Sequence, residues 1–449
     1  MFPKVILSFV LCYVVGILPA YAEISNHQIF YRQDERAPLT KIEIVFFGAG
    51  SNQEPPSQTG LALTVSKLIW ESGKKQGYID QLAVLGTDLN IFADITSLTI
   101  SISTLSENCA ESIEIVYSLI HNLEFSESDL EDVKKLKAVN YQNYLKRYAS
   151  YLMRNFALAQ TWGIKKLRSL KTLKNLSVKD VRQYYARLLK TEEVFFKVIS
   201  DRDSTEIAKL LRPIIEERDN RLLQQAGGFV YSLAHPVVND SADPSAFVFD
   251  SNIKNVFCSW LIPCGMRGEE DLIPLMIYRV LGGSGAQGLL FKYFRKELGL
   301  IYGIGCSYRS SENVRFLVIS ADPRLQNAEE LIAKMSDFIR ELPDNPRFWE
   351  GIKALRESRN VAYAHFHEQR TPQRRLDNEV YRAIYNPPRR KDGYDSVTDE
   401  EIRSFLENFF VSENMVMIFT GPKDNIRDIL NTHWPEAEVH EQSRQSLIE

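Results

Sequence analysis

The sequence predicts an α+β fold made of two copies of one unit, each a mainly antiparallel sheet with helices packed on it. Three observations predict it. Residues 177–203 and 398–424 align without gaps at an offset of 221. Helical and strand-like segments follow one another in the same order on both sides of a polar stretch. The 449 residues are 44% hydrophobic and 25% charged, an ordinary globular composition in a chain too long for one compact unit.

The aligned segments carry the duplication. Ser177-x-x-Asp180 falls on Thr398-x-x-Glu401, and both are capping-box signatures that open a helix. Arg182 falls on Arg403, Glu192 on Glu413 and Asp203 on Asp424. In each copy the helix leads to an apolar strand, 194–199 and 415–420, and then to a second helix. Upstream, 125–140 and 348–360 read as charged helices, and 98–103 and 316–320 as strands. Before those, helices are expected to stop at Gly73 and at Gly282-Gly283. The domains are therefore expected at 23–215 and 246–449, joined by a polar linker at 216–245.

The N-terminus has its own logic. Lys4 precedes an apolar run that reaches Ala20, and Ala20-Tyr21-Ala22 is an A-x-A cleavage signal, so 1–22 reads as a secretory signal peptide. An uncleaved anchor is the alternative. A periplasmic or secreted address is expected, with no membrane segment after cleavage, since no later run reaches the apolar length of a span. The net charge of −4 gives no footprint for nucleic acid or an anionic membrane. Cys109, Cys258, Cys264 and Cys306 form no C-x-x-C, and their apolar contexts suit buried free thiols.

Chemistry-bearing motifs are few. The seven histidines form no H-x-x-E-H and no Cys/His knuckle. His365 and His367 would point to different sides of a helix. His433 and His440 read as part of a polar tail. No G-x-S-x-G elbow is present. Gly283-Ser284-Gly285-Ala286-Gln287-Gly288 matches G-x-G-x-x-G in form only, because a helix and not a strand precedes it.

The helix opening Gly60-Leu61-Ala62-Leu63-Thr64-Val65-Ser66-Lys67-Leu68, together with the run Gly288-Leu289-Leu290-Phe291-Lys292-Tyr293-Phe294-Arg295-Lys296-Glu297-Leu298-Gly299-Leu300-Ile301-Tyr302-Gly303, resembles the insulinase/pitrilysin (M16) zinc metallopeptidase family. The resemblance spans nearly the whole chain after residue 22 and implies two LuxS/MPP-like metallohydrolase domains closing as a clamshell. Active members carry Gly-Leu-x-His-x-x-Glu-His on the first helix and a distal Glu on a later one. The paired His and the Glu hold Zn²⁺, and the Glu between the His acts as general base. Here the ligand positions are Leu63 and Lys67 and the base position is Ser66. Residues 133–179 contain no Asp or Glu, and Asn140 stands near the distal position. The resemblance thus implies a degenerate zinc motif and no metal in this chain.

The second run keeps a different family motif. Arg295 and Tyr302 fall on the family's Arg/Tyr pair, which implies contacts from the opposite wall of the chamber to a substrate carbonyl and its oxyanion. Gly283, Gly285 and Gly288 are implied to form a loop facing bound peptide. A chain without the metal site that keeps Arg/Tyr resembles the non-catalytic subunit of a two-chain, M16B-type enzyme. The implied partner is a homologous subunit with H-x-x-E-H that carries the zinc, and the implied substrate is an extended peptide. A structural or peptide-binding homologue with no part in proteolysis stays open.

Overall fold

The computed structural model of the chain describes residues 29–163, 169–191, 193–222, 244–251, 255–266, 272–283, 287–311, 314–358, 371–385, 393–410 and 415–447. In the first half the strands are β1 (Ile29–Gln33), β2 (Leu39–Phe47), β3 (Asp88–Ala93), β4 (Ser97–Leu105) and β5 (Val194–Ser200). The helices are α1 (Leu61–Lys75), α2 (Tyr78–Val84), α3 (Cys109–Asn122), α4 (Glu127–Arg147), α5 (Ala149–Thr161), α6 (Leu170–Asn175), α7 (Val178–Leu188) and α8 (Ser204–Leu222). The second half has β6 (Ser245–Asp250), β7 (Phe257–Met266), β8 (Ile301–Ser311), β9 (Val314–Pro323), β10 (Val416–Gly421) and β11 (Glu438–Gln442). Its helices are α9 (Leu272–Tyr278), α10 (Leu325–Glu341), α11 (Pro346–Glu357), α12 (Pro372–Tyr385), α13 (Asp399–Phe409) and α14 (Lys423–His433).

The duplication is visible in the sheets. The first is ordered β1-β5-β2-β4-β3 and the second β11-β6-β10-β7-β9-β8, so removing β11 leaves the same order twice. In both, a parallel pair, β1 with β5 or β6 with β10, joins an antiparallel set, and β11 adds a second parallel pair with β6. The capping boxes form as expected: Ser177 and Asp180 open α7, and Thr398 and Glu401 open α13. Arg182 and Arg403 also do equivalent work. Each reaches back to the segment before an equivalent helix, to the carbonyl of Phe125 before α4 at 2.8 Å and to Asp344 before α11 at 2.7 Å.

One face of each sheet packs on its own helices. In the first half Val65, Leu68 and Ile69 of α1 meet Ile44, Ile100 and Ile102; in the second Met276, Leu331 and Met335 meet Trp260, Leu317 and Ile319. Cover on one face does not suffice. β10 is buried at every position and β5 at most, so both faces of these strands are apolar and both need a cover. The halves supply it reciprocally. Leu152, Met153 and Phe156 of α5 pack on Phe247, Phe249 and Ile418 of the second sheet. Leu376, Val380 and Ile384 of α12 pack on Phe30, Val45 and Phe195 of the first. The duplicated helices α5 and α12 are therefore exchanged.

Three local expectations also change. Gly73 lies inside α1, where an added Cβ would come within 2.6 Å of Leu119, and the stop is Gly77 in the left-handed region at φ 84°. α8 runs on to Leu222, beyond the expected linker start, because Glu216, Glu217 and Arg218 are good helix formers. His433 and His440 do not lie in a tail: His433 ends α14, and His440 stands on β11, stacked on Phe247 at 4.9 Å. Residues 1–22, His365 and His367 lie outside the described residues.

Candidate functional site

α1 begins at Gly60, which sits at φ 91°, a conformation that favours glycine. The buried Glu54 carboxylate accepts from the backbone N–H groups of Gly60 and Ala62, both at 2.6 Å, and so stands in for a side-chain cap. This places Leu63, Ser66 and Lys67 one helical turn apart on one side of α1.

Zn²⁺ requires lone pairs converging at about 2.0–2.3 Å, and these three residues do not meet that need. Leu63 is half-buried and has no donor atom. The Ser66 hydroxyl is turned inward and donates to the Leu63 carbonyl at 3.0 Å. The Lys67 ammonium pairs with Glu71 at 2.8 Å and lies 4.4 Å from the Trp70 ring centroid. On α4, Asn140 is exposed. Among the described residues no group of three His, Cys, Asp or Glu could hold a metal. The four cysteines are buried and unpaired. Burial pushes the thiols up, to about 11 for Cys109 and about 12 for Cys264, so they are poor nucleophiles.

The opposite feature lies in the second half. After α9 the chain widens into a π-helical turn, Arg279–Gly283, and a second π-helical segment runs over Phe291–Glu297. Phe294 points into the core. Arg295, one position on, points the other way. Its guanidinium lies over the Tyr302 ring at 4.2 Å and over the Phe291 ring at 5.3 Å. Tyr302 stands in β8 and is 84% exposed. The structure thus brings Arg295 and Tyr302 together, and the pair faces outward. Phe291 is a third member that the sequence reading missed, although a spacing of four on a helix could have found it.

Of the three glycines, Gly283 ends the first π-helical turn, Gly285 lies outside the described residues, and Gly288 is buried. A Cβ on Gly288 would come within 2.7 Å of Gly282 Cα and the Leu281 carbonyl, so this glycine serves a close crossing of two backbones. Beside it a cleft of about 730 Å³ is lined by Arg279, Lys292, Glu297, Arg347 and Glu350. Within it Arg347 donates to both oxygens of Glu297 at 2.7 Å.

Comparison with known proteins agrees with this architecture. Residues 29–170 match the family model of insulinase, peptidase family M16, and residues 175–350 match that of the peptidase M16 inactive domain. A curated relative, the non-peptidase homolog YmxG of Helicobacter pylori, is 21% identical over 366 residues, covering 76% of this chain and 82% of the relative. The crystal structure of a peptidase M16 inactive domain from Pseudomonas fluorescens superposes with a TM-score of 0.72 at 15% identity, covering 90% of this chain and 97% of that one. The periplasmic protease PqqL of Escherichia coli superposes with a TM-score of 0.68 at 14% identity, over 90% of this chain and 48% of PqqL. No helix among the described residues is long and apolar enough to cross a membrane.

Proposed function

The chain belongs to the M16 insulinase family as an inactive member, and from that premise we propose that it is the non-catalytic, substrate-binding subunit of a heteromeric zinc peptidase. The partner is a homologous subunit with H-x-x-E-H that binds the zinc. This chain completes that site with Arg295 and Tyr302. The periplasm is the proposed compartment, from the A-x-A signal and the periplasmic relative.

One observation carries the reading. α1 keeps its shape but has Leu63, Ser66 and Lys67 in place of ligands and base, while Arg295 and Tyr302 form a stacked pair on the surface. A guanidinium and an 84%-exposed phenol have little to do for the fold. Toward a peptide bond, the guanidinium can bind the ground-state carbonyl and the phenol can donate to the oxyanion as charge develops. The stacking with Phe291 holds the guanidinium plane and lowers the entropy lost on binding.

The test is reconstitution. The purified chain, a co-encoded H-x-x-E-H homologue and their mixture are assayed on an unfolded peptide. Activity is expected in the mixture only. Zinc-dependent cleavage by this chain alone, retained in Leu63→Ala/Lys67→Ala, would overturn the proposal. A peptide-binding role without proteolysis is the second reading, favoured by the non-peptidase relative. Normal cleavage by a mixed complex carrying Arg295→Ala would select it.

A further inference from the structure

Residues 133–179 contain twelve Lys and Arg and no Asp or Glu, in a chain whose net charge is −4. This segment includes all of α5, the helix that crosses to the second sheet. The strands on that side continue the pattern: β7, β8 and β10 carry no acid, and β9 carries Asp322 alone.

Between α5 and these strands the structure puts two guanidinium groups near enough for the charge of Arg309 to act on Arg154. Arg309 on β8 is opposite Phe316 on β9, and the Phe316 ring lies 5.7 Å from Trp162 just after α5, so Arg309 is on the α5 side of the sheet. Arg154 on α5 is half-buried, 5.2 Å from the Tyr151 ring centroid, and no carboxylate pairs with it among the described residues. Burial and the Arg309 charge lower its proton affinity, so the two guanidinium groups repel one another across this face. Arg309 is exposed and its Nε donates to Ser307 at 3.4 Å.

The surface leading to Arg309 is open. Gly305, Ser307 and Arg309 share one face of β8 by their register with Ser320, Val318 and Phe316. Gly303 and Gly305 are exposed, and a Cβ built on either would meet nothing within 4 Å. β8 is the edge strand of its sheet, so its outer N–H and C=O groups are available to an extended chain.

We propose that the trough of Gly303, Gly305, Ser307 and Arg309, flanked by Tyr151 and Arg154, binds a carboxylate of an extended peptide aligned along β8. The guanidinium forks match a carboxylate, and the strand edge matches a polypeptide backbone, which a lipid headgroup or a nucleic acid lacks. The selected substrates are acidic. The carboxylate can come from an acidic side chain or from a C-terminus. The inference rests on reading the chain as peptide-binding, and not on Arg295 and Tyr302 taking part in cleavage.

The test is binding of fluorescein-labelled extended peptides to the full chain by anisotropy. One peptide carries internal Glu and an amidated C-terminus, one carries Gln and a free C-terminus, and one carries Gln and an amidated C-terminus. At least one acid-bearing peptide is expected to bind about tenfold more tightly than the uncharged one, and which one identifies the source of the carboxylate. Arg154→Gln and Arg309→Gln should each abolish the preference, and Arg309→Lys should retain part of it. Because Arg309 is exposed, its variants should keep the native circular dichroism. Equal binding of the three peptides, no binding, or a preference that survives Arg154→Gln and Arg309→Gln would overturn the proposal. So would Arg309-dependent capture of phosphatidylglycerol vesicles without peptide binding. A preference that stands while the reconstitution fails would overturn the catalytic role alone.

Discussion

The Arg295 guanidinium lies over the Tyr302 ring, 4.2 Å from its centroid, on the surface of the second half. An exposed cation–π contact contributes about 0.5–1 kcal/mol. Tyr302→Ala is therefore expected to change the unfolding free energy by less than about 1 kcal/mol, measured by urea titration. A larger loss would mean that Tyr302 serves the fold and not a ligand.

The exchanged helices make the two halves one cooperative unit. Phe156 on α5 packs edge-on against Phe247 and Phe249 of the other half, at 6.1 and 6.0 Å. Phe156→Ala should cost about 3–5 kcal/mol and lower a single melting transition monitored by tryptophan fluorescence. Two separate transitions, with the second half unaffected, would contradict the exchange.

A charge cluster ties α12 to the first sheet. Lys197 on β5 bridges the buried Glu43, at 2.5 Å, and Asp377 on α12, also at 2.5 Å, while Lys41 takes the other Glu43 oxygen at 2.7 Å. Burial would push the Glu43 carboxyl up, but hydrogen bonds from Lys197 and Lys41 outweigh it and hold the carboxyl below its usual range. Burial lowers the Lys197 value, yet its bonds to Asp377 and Glu43 raise it overall. The Glu43 contribution is complete above the ordinary glutamate value of about 4.3 and is lost as pH falls through the lowered folded value. The Lys197 contribution is complete below about 10.4 and is lost as pH rises through the raised folded value. Lys197→Met should destabilise by about 3 kcal/mol at neutral pH. That difference should shrink in acid once Glu43 is protonated. A pH-independent difference in urea midpoints would show that the cluster does not titrate this way.

The degenerate motif has its own readout. With Leu63, Ser66 and Lys67 where ligands would stand, the purified chain should retain less than about one-tenth equivalent of zinc after dialysis, because tight sites need three or four converging donors. Stoichiometric zinc by mass spectrometry would require ligands elsewhere in the chain.

Much of this fold was legible because its signals are local. The capping boxes at Ser177 and Thr398, and the apolar strands after them, depend on neighbouring residues and repeat at one offset. The exchange of α5 and α12 was not legible. Leu152 and Phe156 are apolar, but nothing near them in sequence says which sheet they cover. β11 was missed because Glu438–Gln442 is a polar edge strand with two of its five residues exposed. At the site, the spacing of Arg295 and Tyr302 was legible and their stacking was not, since it depends on a π-helical segment meeting β8. The Glu54 cap on α1 was hidden for a similar reason: five residues, with a 3-10 turn at Pro56–Gln58, separate it from Gly60.

The most direct measurement is the turnover of an unfolded peptide by the complex of this chain with its zinc-bearing homologue, with and without Arg295→Ala and Tyr302→Phe. Tyr302→Phe should lower kcat by about 10²–10³-fold, as for loss of a donor to a developing oxyanion, and Arg295→Ala should lower kcat/KM mainly by raising KM, as for loss of ground-state carbonyl binding, while size-exclusion chromatography shows the complex intact. Unchanged kcat/KM in both variants, with the complex intact, would contradict the division of labour between the two chains.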